Sequence, residues 1–217
     1  GNFGLHLART LYERDYAKII AIGEYNGYLF NPNGINIKKL VEYKFQNKSI
    51  DCKELGEFKQ NPEEVLELDC DILVPAAMEN VIHMQNVQKI KAAVIFEAAN
   101  GPVSYDADEY LYQKGVKIIP DIYVNAGGVV VSYFEWIKNL QHMRFGRLEK
   151  RYQEHKMEQL LELLENQSGF KITDHQKNIL TQGADELDLT FSGLEDSMRN
   201  SFNQIRNIQK TNHKSFR

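Results

Sequence analysis

Pro120-Asp121-Ile122-Tyr123-Val124-Asn125-Ala126-Gly127-Gly128-Val129-Val130-Val131-Ser132-Tyr133-Phe134-Glu135-Trp136 is the stretch whose reading decides the fold. A hydrophobic strand, Val116 to Ile119, runs into Pro120, which cannot donate to a sheet ladder and so marks the strand's end. An amide side chain and two glycines follow, then an apolar segment carrying a single early hydroxyl, Ser132. In an open α/β sheet, ligands sit at the turn after a strand's carboxyl end. Glycines there let a backbone approach a ligand, and a new helix start offers free N–H groups. The segment read alone is equally consistent with a glycine-rich turn kept for tight packing.

The chain upstream repeats the pattern. Asp71-Ile72-Leu73-Val74 ends in Pro75-Ala76-Ala77, and Ala92 to Phe96 ends in Glu97-Ala98-Ala99-Asn100-Gly101-Pro102. Neither run alternates, as expected of strands covered on both faces. Helical stretches are predicted at 81–90 and 107–114, between the strands. Strand and helix thus alternate through 1–136, which predicts a parallel, Rossmann-like sheet with helices on both faces. Right-handed crossovers would bring the carboxyl ends of its strands to one edge. Gly1–Gly4, Glu24, Pro75–Ala77, Ala98–Pro102 and Asn125–Ser132 would then share that rim.

At the start of the chain, Gly1-Asn2-Phe3-Gly4 leads into a helix, with Leu5, Ala8, Leu11 and Tyr12 at helical spacing. A β run from Lys18 to Gly23 ends on Glu24, twenty residues beyond Gly4. That separation suits the acid that binds the adenosine ribose after a GxGxxG turn, of which Gly1 and Gly4 would be the second and third glycines. The plain alternative is a solvated carboxylate at a strand end. Asn26-Gly27 and Asn31-Pro32-Asn33-Gly34 are turn chemistry around a short hairpin, followed by a helix near Ile37 to Phe45. Residues 44–62 read as a polar surface excursion.

Composition narrows the function classes. The 217 residues are 42% hydrophobic and 26% charged, the proportions of a globular chain. A net charge of −4 with dispersed Lys and Arg gives no footprint for nucleic acid. No apolar run approaches the length of a membrane span, so no membrane partner is expected. Cys52 and Cys70 lack metal-ligand spacing and are too few for a disulfide framework. Beyond Trp136 the character changes. A charged helix is predicted over 144–165, stopped by Gly169, and a short segment over 173–181 is capped by Thr173 or Asp174. A second long helix from about Asp185 carries an apolar stripe of Leu187, Phe191, Leu194, Met198, Phe202, Ile205 and Ile208. The organisation expected is therefore 1–143, 144–184 and 185–217.

With these residues in view, the chain resembles the glutamate dehydrogenase family. The strings GNFGLHLARTLYE, IAIGEYNGYLFNPNGI, CDILVPAAMENVI, EAANGP, IPDIYVNAGGVVVSYFEWIKNLQH and GRLEKRY look like consecutive blocks of its cofactor domain, in the family's order. Residues 144–198 resemble in place and length the antenna of the animal and ciliate enzymes. The resemblance implies a dinucleotide-binding domain at 1–143 lacking its first strand, an antenna-like extension at 144–184 and a return helix at 185–217. It implies NAD as cofactor, with NADP left open, held by Gly1, Asn2, Phe3, Glu24, Ala76, Asn100 and Asn125. Val129 and Ser132 would reach the substrate. The reaction implied is reversible oxidative deamination of L-glutamate to 2-oxoglutarate and ammonia in a homohexamer, in the mitochondrial matrix or otherwise the cytoplasm. The family's catalytic Lys and Asp belong to a substrate domain upstream of Gly1, so this chain alone would be inactive and poorly soluble.

Two departures stand out. Ala98 replaces a glycine usual in EGANGP, which suits negative φ but not positive. Phe191, Asn200 and Asn203 stand where the animal enzymes carry effector-binding residues, which puts purine-nucleotide regulation in doubt. The alternative to an enzyme is a non-catalytic relative that assembles with or regulates intact subunits.

Overall fold

The computed structural model describes residues 1–141, 147–169, 171–181, 186–212 and 215–216. It divides into two compact units, Gly1–Asn125 with Ile205–Arg217, and Ala126–Gln204. The expected boundaries at 143/144 and 184/185 lie outside the described residues.

The first unit opens with helix α1, Asn2–Glu13, one turn earlier than its apolar spacing suggests, with Gly1 as N-cap. Strands β1, Ala21–Glu24, and β2, Gly27–Phe30, pair antiparallel across the Tyr25-Asn26 turn. The run predicted from Lys18 continues the hairpin irregularly: the carbonyls of Ile19 and Ile20 accept the amides of Ile35 and Asn31, each at 2.8 Å. Helix α2, Ile37–Asn47, is capped by the Asn36 side chain, which accepts the Lys39 N–H. The stretch 44–62 is more than a surface excursion. It buries Ile50, Cys52 and Leu55 beside Leu29, Ile35, Ile37 and Leu40. It also adds strand β3, Glu57–Lys59, antiparallel to β2. The polar residues that suggested an excursion are the exposed half of a segment whose apolar residues turn inward.

The parallel sheet is built from β4, Ile72–Leu73, β5, Val94–Phe96, and β6, Lys117–Ile119, in that order. The α/β class and the parallel sheet are thus present. Among the described residues, however, no ladder joins it to β1–β3, which form their own antiparallel sheet. A two-residue turn can connect only antiparallel neighbours, so β1 spends its hydrogen bonds on β2.

The helix expected at 81–90 is not formed; only a 3-10 turn, Val87–Lys89, appears. Asn86 explains this, because its side chain accepts the His83 N–H and donates to the Val81 carbonyl, offering the backbone another set of partners. Ile82, Val87 and Ile90 are all fully buried in the core under the parallel sheet, so the apolar spacing served burial rather than a helix. Helix α3, Tyr105–Gln113, seals the same core with Ala107 and Leu111. After β6 come the single turn α4, Asp121–Val124, and then Asn125.

The second unit holds α5, Ala126–Gln141, α6, Arg147–Ser168, and α7, Asp174–Thr181, with most of α8, Glu186–Asn212. Gly169, with φ +67°, ends α6 as expected. Thr173 caps α7, its hydroxyl accepting the Gln176 N–H at 3.3 Å. Glu165 ties the two helices, receiving Lys177 Nζ at 2.9 Å and the Ile172 N–H at 2.8 Å. These donors hold the Glu165 carboxyl below the usual range, Lys177 first and the Ile172 amide second. Small residues let α5 and α8 meet: a methyl at Gly193 would lie 3.4 Å from the Phe134 ring, and one at Gly127 3.7 Å from Leu194. The apolar stripe of α8 is only partly covered, with Leu187, Phe191 and Ile208 exposed.

Candidate functional site

The carboxyl ends of β4, β5 and β6 converge as parallel strands require. Pro75, just past β4, accepts the N–H groups of Ala98 and Ala99 at 3.1 and 2.9 Å, which pins the loop after β5 to its neighbour. Ala98 is not among the residues with positive φ and is 8% exposed, so its methyl is accommodated without strain. Between these strand ends opens a cavity of about 490 Å³, lined by Ala76, Ala77, Glu79, Ala98, Ala99, Asn100 and Asn125. Three sequence-predicted residues, Ala76, Asn100 and Asn125, therefore share one wall. Asn125 Nδ2 donates to Asn100 Oδ1 at 2.7 Å. That bond uses one N–H of Asn125 and one lone pair of Asn100, so the pair keeps both N–H donors of Asn100, the second N–H of Asn125 and the Asn125 carbonyl acceptor. Such a pair suits a group that both accepts and donates, a primary carboxamide or a ribose hydroxyl.

A second cluster forms where β1 ends. Glu24 is partly buried, Gly1 N lies 3.6 Å from its Oε1, and Lys44 Nζ on α2 is in direct contact with the same oxygen. Burial pushes the Glu24 carboxyl up, while its contact with Lys44 pulls it down, and the group lies below its ordinary value. It is therefore ionised at neutral pH. The first turn of α1, Asn2 to Gly4, has backbone N–H groups with no acceptor inside the helix, because the ladder begins with Leu5 N–H on the Gly1 carbonyl. A methyl at Gly1 or Gly4 would meet nothing within 4 Å. Free amides at a helix start beside an ionised acceptor can hold a phosphate and a diol, respectively.

The chain matches the Glutamate/Leucine/Phenylalanine/Valine dehydrogenase model over residues 1–201. It belongs to that family. It is 43% identical over its whole length to the mitochondrial glutamate dehydrogenase of Dictyostelium discoideum, of which it covers 43%. Among solved structures it resembles the glutamate dehydrogenase of Peptoniphilus asaccharolyticus, with a TM-score of 0.62 and 27% identity over all of this chain and 40% of that one. The hetero-hexameric glutamate dehydrogenase of Thermus thermophilus shares the fold, with a TM-score of 0.60 and 22% identity over 93% of this chain and 45% of that one. The chain spans less than half the length of these relatives.

The donors and acceptors of the amide pair, and the helix start beside Glu24, fit the kinds of group that a dinucleotide presents. Val129 and Ser132 lie in the second unit, on the first turns of α5; both are exposed, and the Ser132 hydroxyl donates to the Gly128 carbonyl at 3.0 Å. Sequence reasoning missed four residues. Lys44 was invisible because its pairing with Glu24 depends on how α2 lies against the hairpin. Glu79 lines the cavity from the turn between Ala77 and the stretch expected to be helical at 81–90. Glu97 and Asp121 looked like ordinary polar residues at strand ends. Glu97 is fully buried, its Oε2 accepting the Asp121 N–H at 3.1 Å, and Asp121 Oδ2 accepts the Gly101 N–H at 2.8 Å. The available signal was a carboxylate directly following an unbroken β run. Among the described residues no cluster of His, Cys, Asp and Glu could hold a metal, and no helix is long and apolar enough to cross a membrane.

Proposed function

We propose that this chain is the cofactor-binding part of a glutamate dehydrogenase, which catalyses NAD(P)-dependent reversible oxidative deamination of L-glutamate to 2-oxoglutarate and ammonia. The observation that carries the reading is the Asn100–Asn125 amide pair on the wall of a cavity at the carboxyl edge of a parallel sheet. A dinucleotide bound there supplies the acceptor for the hydride leaving the glutamate Cα. The chain's own residues do the holding. Asn100 and Asn125 orient the nicotinamide ribose and carboxamide, Ala76 borders them, and the amides of Gly1, Asn2 and Phe3 receive the pyrophosphate. Glu24 accepts the hydroxyls of the adenosine ribose. Lys44, in contact with Glu24, is a cation within reach of a 2′-phosphate, which supports use of NADP beside NAD. Val129 and Ser132 contact the amino acid. Proton transfer and water activation fall to a Lys and an Asp outside these residues.

The 43% identity to a named glutamate dehydrogenase across the whole chain favours an enzyme over a non-catalytic partner. The name of that relative supports a mitochondrial location, and the hetero-hexamer named for the Thermus protein is in line with a hexameric assembly, in which 144–184 would form the antenna that the resemblance implies. The direct test is formation of 2-oxoglutarate from L-glutamate by the full-length protein, with NAD and with NADP. Leucine, phenylalanine and valine serve as competing substrates. Absence of glutamate turnover with either cofactor, or faster turnover of leucine, would remove the proposal.

A further inference from the structure

We propose that Glu97 and Asp121 are positioning residues for the nicotinamide end of the site: together they hold, across the ends of β5 and β6, the two turns that carry Asn100 and Asn125. The proposal rests on reading the cavity as the nicotinamide pocket. The first turn is tied to the Asp121 carboxylate, and the start of the second, where α4 begins, to the Glu97 carboxylate. Asn100 precedes Gly101, whose φ of +52° makes the turn and whose N–H is held by Asp121 Oδ2 at 2.8 Å. Asn125 follows α4, and its N–H donates to the Asp121 carbonyl at 2.8 Å. Asp121 thus touches both turns, one through its side chain and one through its backbone. Its remaining oxygen, Oδ1, accepts the Ile122 N–H at 2.7 Å. Asp121 is in turn fixed by its own N–H, which donates to Glu97 Oε2 at 3.1 Å, while the Glu97 N–H donates to the Ile119 carbonyl at 3.1 Å.

The chemistry argues that this is more than packing. Glu97 has no exposed surface, and an ionisable side chain is costly to bury where an apolar one of similar volume would serve the core better. What a carboxylate adds is an acceptor that fixes where α4 begins, and α4 is a single turn with little stability of its own. Neither carboxylate lines the cavity, so neither touches the cofactor; they act through Asn100 and Asn125. A displacement of about 1 Å in one amide is enough to break the 2.7 Å bond between the pair.

The test compares two ligands on the full-length enzyme by titration calorimetry. NADH carries the nicotinamide, and ADP-ribose is the same nucleotide without it. Asp121→Asn keeps the volume but removes one acceptor, and should weaken NADH about tenfold while leaving ADP-ribose within about twofold. Glu97→Leu should do the same, and Glu97→Gln, which retains an acceptor oxygen, should restore NADH binding to within about threefold. Should Asp121→Asn fail to fold, the Glu97→Leu and Glu97→Gln pair decides. Equal losses for the two ligands, or no loss of NADH affinity in a folded variant, overturn the positioning role. The pocket assignment fails separately, and the proposal with it, if unaltered enzyme binds NADH no better than ADP-ribose and Asn100→Ala changes neither.

Discussion

Replacing Glu24 with Ser should reverse the cofactor preference by an amount that the structure allows to be worked out. Glu24 is a partly buried carboxylate, ionised at neutral pH, with Lys44 in contact and Gly1 N at 3.6 Å. A charge-assisted hydrogen bond contributes about 1.5–3 kcal/mol, so losing the carboxylate should weaken NAD by roughly 2 kcal/mol, or about 30-fold. For NADP the change runs the other way. A carboxylate about 5 Å from a phosphate costs about 3 kcal/mol per charge pair at an effective dielectric near 20, and solvent access reduces this to about 1 kcal/mol. The variant also frees Lys44 to meet the phosphate. The ratio of kcat/KM for NADP to that for NAD should therefore rise on the order of 100-fold. Lys44→Gln supplies the control: it should lower NADP use about tenfold and leave NAD nearly unchanged. The assay is steady-state glutamate oxidation with each cofactor, alongside a thermal melt. The melt should move little, since a solvent-accessible ion pair contributes less than about 1 kcal/mol. A ratio that stays within about threefold in a variant melting normally would remove Glu24 from the ribose site.

Three further outcomes follow from other parts of the molecule. Gly27→Ala should destabilise the hairpin by about 3 kcal/mol or more, because at φ +147° its methyl would lie 2.2 Å from the Lys59 carbonyl oxygen. Gly101→Ala, at φ +52° but with nothing within 4 Å, should cost only about 1 kcal/mol; equal losses in urea unfolding would contradict the steric argument. Glu165, held below the usual carboxylate range, stabilises the α6–α7 junction above the ordinary carboxylate pKa and loses that contribution as pH falls through its lowered value. The protection of the Ile172 amide against exchange should fall over that acid range, and Glu165→Ala should show low protection with no such step. Ser132→Ala should raise the KM for glutamate a few-fold without altering NAD affinity, and a parallel change in both constants would count against a substrate-side role.

Much of this was legible without coordinates, for physical reasons that differ from element to element. Apolar runs closed by Pro75, Asn100-Gly101 and Pro120 mark buried strands ending at a functional edge, because proline and glycine act on the backbone locally. Gly169 marks a helix end for the same reason. Helical spacing misled at 81–90, where Ile82, Val87 and Ile90 are buried in an irregular loop held by the Asn86 side chain. Periodicity reports which residues are buried, and a folded loop can bury the same positions as a helix.

The sequence by itself determined the family, the parallel strands and the residue types at their ends, since these follow from local backbone chemistry and from blocks of matched residues. Only the tertiary structure decided the partners. Glu24 meets Lys44 because α2 lies against the hairpin, and Asn125 meets Asn100 because β5 and β6 end side by side. Glu97 and Asp121 link those ends across 24 residues of chain. Hydrogen bonds and ion pairs act over about 3–4 Å, and separations in sequence carry no information about such distances until the chain has folded.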